Sequence, residues 1–289
     1  MVKEILRAGA VTLAALALVA GPARGAEPKK DAKPAAAPAK GAMEVEFKDP
    51  VGDDNGPGTY TYPTDPVYKK GSFDLTGLKV TEKDGKVTFS VSVNSDIEDP
   101  WQMPEPAHFS VQMEIIHIQT GQGPSFTKGI PGTNVQFAPS DAWNKVVILS
   151  PQPAGRVRSE AKQKAADLLA AIVVPDDTHA EGRTISGTVD KKLLGEGDIT
   201  KWGYQVLSQS NEGFPDKTDL LTRKVNEYEG QHRFGGGTDT DCDPHVIDIL
   251  AGKAVGDPSE VEEQHQMLKY ECNPDGTAKT MATLKMVHR

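Results

Sequence analysis

The chain has 289 residues, with 32 basic against 41 acidic side chains and a formal net charge of −9. Seven basic and three acidic residues in the first 41 positions mask a more acidic remainder, −13 over residues 42–289. Such a body excludes the basic-patch chemistry that nucleic acid demands and suits a soluble particle that attracts cations.

Residues 1–26 read as an export signal. Lys3 and Arg7 form a basic lead, an apolar run follows, and small residues at Ala23 and Gly25 place a cleavage point at Gly25/Ala26 or Ala26/Glu27. The run is shorter than the roughly 20 residues a spanning helix needs, so no transmembrane segment is expected after cleavage. Residues 27–41, built from Ala, Pro and Lys, hold too little apolar surface to offset ordering entropy and read as a flexible tether. Residues 42–289 then form a single domain, long enough to bury a core without disulfide staples.

From Met43 onward, short strand patterns alternate with turns marked by Gly and Pro. The densest feature is DPVGDDNGPGTYTYPTDPVYKKGSFDL (49–75), with five aspartates against two lysines. Calcium takes six to eight oxygens from carboxylates and carbonyls. Asp49, Asp53, Asp54 and the Asn55 carbonyl can converge from this one loop. The spacing is not that of an EF-hand, and the same composition also builds plain turns in which carboxylates cap amides.

KVTFSVSV (86–93) alternates strictly, as a half-buried strand does. HFSVQMEIIHI (108–118) is apolar on both sides, which predicts a central strand with a bulge near Ile115–Ile116. WNKVVIL (143–149), RTISGTV (183–189) and WGYQVLSQ (202–209) are further strands, and SEAKQKAADLLAA (159–171) favours helix. A second acidic, Gly-rich stretch, RFGGGTDTDCDPHVIDIL (233–250), offers Asp239 and Asp241 to a cation shared with the first, or serves as a loop before a last strand at 246–250. Beyond it, 258–272 suits a short helix and 277–287 an alternating strand. Many short strands at this spacing predict an all-β fold, an antiparallel β-sandwich with one or two short helices.

The segments 49–75, DPWQMPEPAHFSVQMEIIHI (99–118), WGYQVLSQ and RFGGGTD…PHVIDIL resemble the C-terminal module of glucodextranase, over residues 45–250 with a C-terminal extension at 251–289. The resemblance implies a DOMON-like β-sandwich, found both as an appendage of extracellular glucan-degrading enzymes and as a free-standing exported protein. It also implies a non-catalytic role in surface attachment or carbohydrate binding, to a polysaccharide or cell-envelope component and in association with an extracellular enzyme. His108-Phe109 stands where the family pattern opens its central strand with Gly-Phe, and 151–185 is atypical of it.

Carbohydrate binding would draw on aromatic faces. Trp101, in the loop IEDPWQMPEP, is the best placed, with Tyr60 and Tyr62, whereas Trp143 and Trp202 open strands and read as core. The DOMON-like resemblance raises a second reading, an electron-transfer protein holding haem b, for which His108 and Met113 could serve as axial ligands. A third reading is a structural envelope protein with no small ligand. Cys242 and Cys272 lack zinc-site spacing and, in an exported protein, pair as one disulfide. No GxSxG or HExxH motif is present, so no enzyme is expected, although paired carboxylates of a glycosidase are recognised only in space.

Overall fold

The computed structural model describes residues 41–251 and 259–289. The signal and tether expected over 1–41 lie outside the described residues, save for Gly41. In chain order the strands are β1 (Met43–Lys48), β2 (Leu75–Lys83), β3 (Lys86–Val93), β4 (Gln112–Gln119), β5 (Val135–Phe137), β6 (Lys145–Leu149) and β7 (Ile172–Val173). They continue with β8 (Thr178–Glu181), β9 (Thr184–Asp190), β10 (Gly203–Ser210), β11 (Asp248–Ile249), β12 (Glu271–Cys272), β13 (Ala278–Thr280) and β14 (Ala282–Leu284). Among the described residues three short α-helices accompany them: α1 (Ala154–Lys164), α2 (Lys191–Leu194) and α3 (Ser259–Met267).

The first sheet runs β1-β2-β3-β9-β8 and is antiparallel throughout. Its origin in the alternating pattern is direct. Val87, Phe89, Val91 and Val93 of β3 are buried, while the intervening hydroxyls face outward and pair with β9, Thr88 with Thr188 at 2.8 Å and Ser90 with Ser186 at 2.9 Å. The second sheet runs β11-β10-β4-β6-β7, antiparallel except where β7 joins β6 in parallel.

The two sheets close face to face. Phe47, Leu78, Val80, Phe89, Val91 and Ile185 of the first pack against Ile116, Ile118, Val147, Leu149, Tyr204 and Val206 of the second. The other face of the second sheet is buried as well. Met113, Ile115, Val146, Ile148 and Leu207 lie beneath Val157 and Ala161 of α1, Met267 of α3, and Ala282 and Leu284 of β14. This double cover explains why β4 is apolar on both sides, and no bulge is needed. Its register with β10 and β6 runs unbroken through Ile115 and Ile116, correcting the bulge expected there. The C-terminal extension is therefore part of the core. Val287 also bridges to Tyr204, so the chain's end adds to the second sheet.

The helix expected at 159–171 instead spans Ala154–Lys164. Pro153 caps it at φ −51°, close to proline's fixed value, and so starts it early. The backbone leaves helical geometry at Ala165, and the apolar residues counted towards helix, Leu168 and Ala171, pack into the core from turns. Among the described residues no helix is long and apolar enough to cross a membrane.

Candidate functional site

Among the described residues two places stand out, one buried and one an open cleft. The first lies where β1 ends. Asp49, Asp53 and Asp248 are all buried, and one carboxylate oxygen of each lies within 4.8 Å of the others. Asp49 continues β1, its amide donating to the Thr76 carbonyl at 3.2 Å. Asp53 sits in the following loop, docked by Gln264, whose side chain donates to the Asp53 carbonyl at 2.6 Å, and by Gly56, whose amide donates to the Ile247 carbonyl at 2.8 Å. Asp248 comes from β11 in the opposite sheet and accepts from the Leu75 amide at 2.7 Å.

Burial pushes the carboxyls of Asp49 and Asp248 well above the usual range, with neighbouring carboxylates adding to it. Burial above all, with the charges of Asp74, Asp54 and Glu260 adding to it, carries Asp53 up to about 7.

Of the other residues singled out for metal, Asp54 accepts a hydrogen bond from the Tyr62 hydroxyl. The Asn55 carbonyl accepts from the amides of Gly58 and Tyr60 at 3.0 and 2.9 Å. The two Gly-rich loops do meet: Thr61 and Gly235 exchange backbone hydrogen bonds at 3.0 and 2.9 Å. At Gly236, with φ +82°, a Cβ would fall 2.0 Å from the Thr59 carbonyl oxygen, so only glycine fits. Yet Asp239 and Asp241 stand outside the buried group. Both are exposed, Asp241 pairing with Lys224 at 3.0 Å and Asp239 accepting from the Glu227 amide at 3.4 Å. The carboxylate that this second stretch does contribute is Asp248. It hid in the apolar run HVIDIL, where a lone acid among core residues is itself the signal.

The second place is a cleft of about 480 Å³, within the size range of ligand sites. Three carboxylates on its wall, Glu212, Asp216 and Asp219, balance three basic side chains, Arg223, Lys224 and Arg233. Arg223 pairs with Glu212 at 3.0 Å and Lys224 with Asp216 at 2.9 Å, which fixes both basic groups in place. Phe214, on the same wall, is 94% exposed. Trp101 borders the cleft through His232, their rings 6.0 Å apart and edge to face, and is 40% exposed.

The aromatic residues named from sequence thus divide. Trp101 presents a face to solvent, and Trp143 and Trp202 are core. Tyr60 is buried, with its hydroxyl on the Pro244 carbonyl at 2.6 Å, and has no free face for a sugar. Tyr62 is half-buried, packed against Phe73 and Phe234, and ring packing accounts for it. Phe214 was missed because an aromatic in the turn-rich EGFPD carries no periodicity.

Cys242 and Cys272 form a disulfide, their Cα atoms 5.7 Å apart. The two residues considered for haem occupy different surroundings. Met113 is fully buried in the core beneath α1 and α3, while His108 is exposed and pairs with Glu105 at 3.1 Å.

A family model described as the C-terminal binding module, SLH-like, of glucodextranase matches residues 45–287. The match runs through β14 and so covers the extension that packs on the second sheet. No curated protein matches the chain.

Proposed function

The chain belongs to the family of the SLH-like C-terminal binding module of glucodextranase, and we propose that it is an exported, non-catalytic module that binds a neutral polysaccharide, an α-glucan or a cell-envelope glycan. The observation that carries this reading is the cleft beside Trp101. Its carboxylates and basic side chains balance three against three, and two of the basic ones are held in ion pairs, so it offers fixed hydrogen-bond donors without a net formal charge to select an ion. Exposed Phe214 and Trp101 supply the apolar faces on which a pyranose ring stacks. A basic signal-like lead before the body supports export, the acidic opening loop supports stabilisation by calcium, and the family's parent enzyme supports association with extracellular glucan-degrading enzymes.

The test is affinity electrophoresis of the full chain through gels containing soluble α-glucan or solubilised cell-wall polysaccharide. Retardation in one of them is expected, and Phe214→Ala and Trp101→Ala should each weaken it by about tenfold, equivalent to 1.4 kcal/mol. Phe214 is too exposed for its loss to unfold the protein. Equal mobility of wild type and both variants in every gel would sink the proposal.

A further inference from the structure

The buried acidic group at the end of β1 is more than a set of turn caps. Turn-capping carboxylates sit at the surface and spend their oxygens on nearby amides. Here both carboxylate oxygens of Asp53, and Oδ2 of Asp49, are buried without a hydrogen-bond partner among the described residues. A buried polar atom with no partner costs on the order of 1–3 kcal/mol, and more if charged. Three carboxylates this close also repel one another. A hard cation answers both demands. Calcium binds oxygens at 2.3–2.6 Å, so two ligands on opposite sides of one ion stand about 5 Å apart. The observed oxygens, mutually within 4.8 Å, fit around a single such ion. Glu260, buried on α3, adds a further negative charge felt by Asp49 and Asp53.

We propose that Asp49, Asp53 and Asp248 hold a calcium ion inside the sandwich, where it clamps the end of β1 in one sheet to β11 in the other. The site deepens the calcium part of the functional reading and rests on that part alone, since its residues lie apart from the saccharide cleft. The clamp joins segments about 200 positions apart in the chain, and its ion also fixes the Asp53–Gly56 loop against α3 through Gln264. A strand edge is the first place a sandwich frays, and here the edge strand β1 is tied down at its C-terminal end.

The test uses the full chain, stripped with chelator and titrated with calcium chloride, with magnesium chloride as comparison. Calorimetry and metal analysis after gel filtration should find one tight calcium per chain, and saturating calcium should raise the melting temperature by about 10 °C. Asp53→Asn and Asp248→Asn should each weaken calcium affinity by at least about tenfold, the loss that even an outer-shell partner causes. In calcium-free buffer Asp53→Asn should melt at or above wild type, because one of three repelling charges is gone, so the variant controls for its own folding. Asp241→Asn should bind calcium as wild type does. Wild-type protein that neither binds calcium nor shifts its melt overturns the site, as does Asp53→Asn with unchanged affinity. Those results leave polysaccharide retention untouched, and loss of retention with calcium binding intact would condemn the cleft instead.

Discussion

Single side chains in this protein carry their roles through what surrounds them. His117 lies on β4 with its ring 4.7 Å from Phe137 and 5.1 Å from Trp143. Burial pushes its imidazole down from 6.5 to about 3, so the folded protein keeps it neutral while the unfolded chain protonates it. The unfolded state therefore binds more protons between these values, and this residue's contribution to stability falls as pH drops through that window. Glu114 works the other way: burial pushes it up to about 8, and its neutral form loses its advantage as pH rises. Comparison with a variant isolates the histidine. Urea unfolding of wild type and His117→Leu should show wild type losing stability relative to the variant between about pH 7 and about pH 4. Parallel curves would contradict that placement. Residues of this kind are poorly legible in sequence. His117 and Met113 sit at ordinary alternating positions, and only the third dimension separates a buried histidine from a ligand. Asp49 and Asp53 were legible because several aspartates crowd one Gly-rich loop. Asp248 was not, because its partners lie about 200 residues upstream.

At the scale of elements, α1 lies in the stretch 151–185 that is atypical of the family pattern, and it braces one wall of the cleft. Arg156 donates from its guanidinium to the Gly213 carbonyl and to Gln152 Oε1 at 2.8 Å. Lys164 donates to the carbonyls of Asp216 and Asp219 at 2.9 and 2.6 Å. One helix thus pins both ends of the loop that displays Phe214. Arg156→Ala should loosen that loop and cost several-fold in polysaccharide affinity, with a stability loss of only about 1 kcal/mol. Affinity unchanged in the same gels would show that the loop needs no such support. Strands were the readable part of this architecture. KVTFSVSV forms β3 over the residues its alternation marked, and the two-sided apolarity of 108–118 announced a central strand. The helix was misplaced because composition weighs Ala and Leu without knowing that Pro153 starts it and that Leu168 and Ala171 are wanted by the core. Periodicity could not show that α1, α3 and β14 cover the outer face of the second sheet, since that depends on packing between segments distant in the chain.

Across the whole molecule, two features sit on one scaffold. A buried acidic group joins the two sheets at the end of β1, and a charge-balanced cleft with exposed aromatics lies over the 212–233 region. Part of the body's acidity, first noticed as a total, lies in the buried group of three carboxylates, and part in exposed ones such as Asp216 and Asp241 that pair with Lys224. The disulfide between Cys242 and Cys272 fastens the segment carrying β11 to the C-terminal one, and the family match spans both. The proposed binding of a neutral polysaccharide at the cleft beside Trp101 is open to a direct optical test. Because Trp143 and Trp202 are buried and Trp101 is not, acrylamide quenching of the intrinsic fluorescence reports mainly on Trp101. Titrating soluble α-glucan and cell-wall polysaccharide into the full chain should give, with one of them, a saturable change in emission together with protection from acrylamide quenching, both shifted to about tenfold higher concentration in Phe214→Ala. Emission and quenching that stay flat with every polysaccharide would contradict the claim.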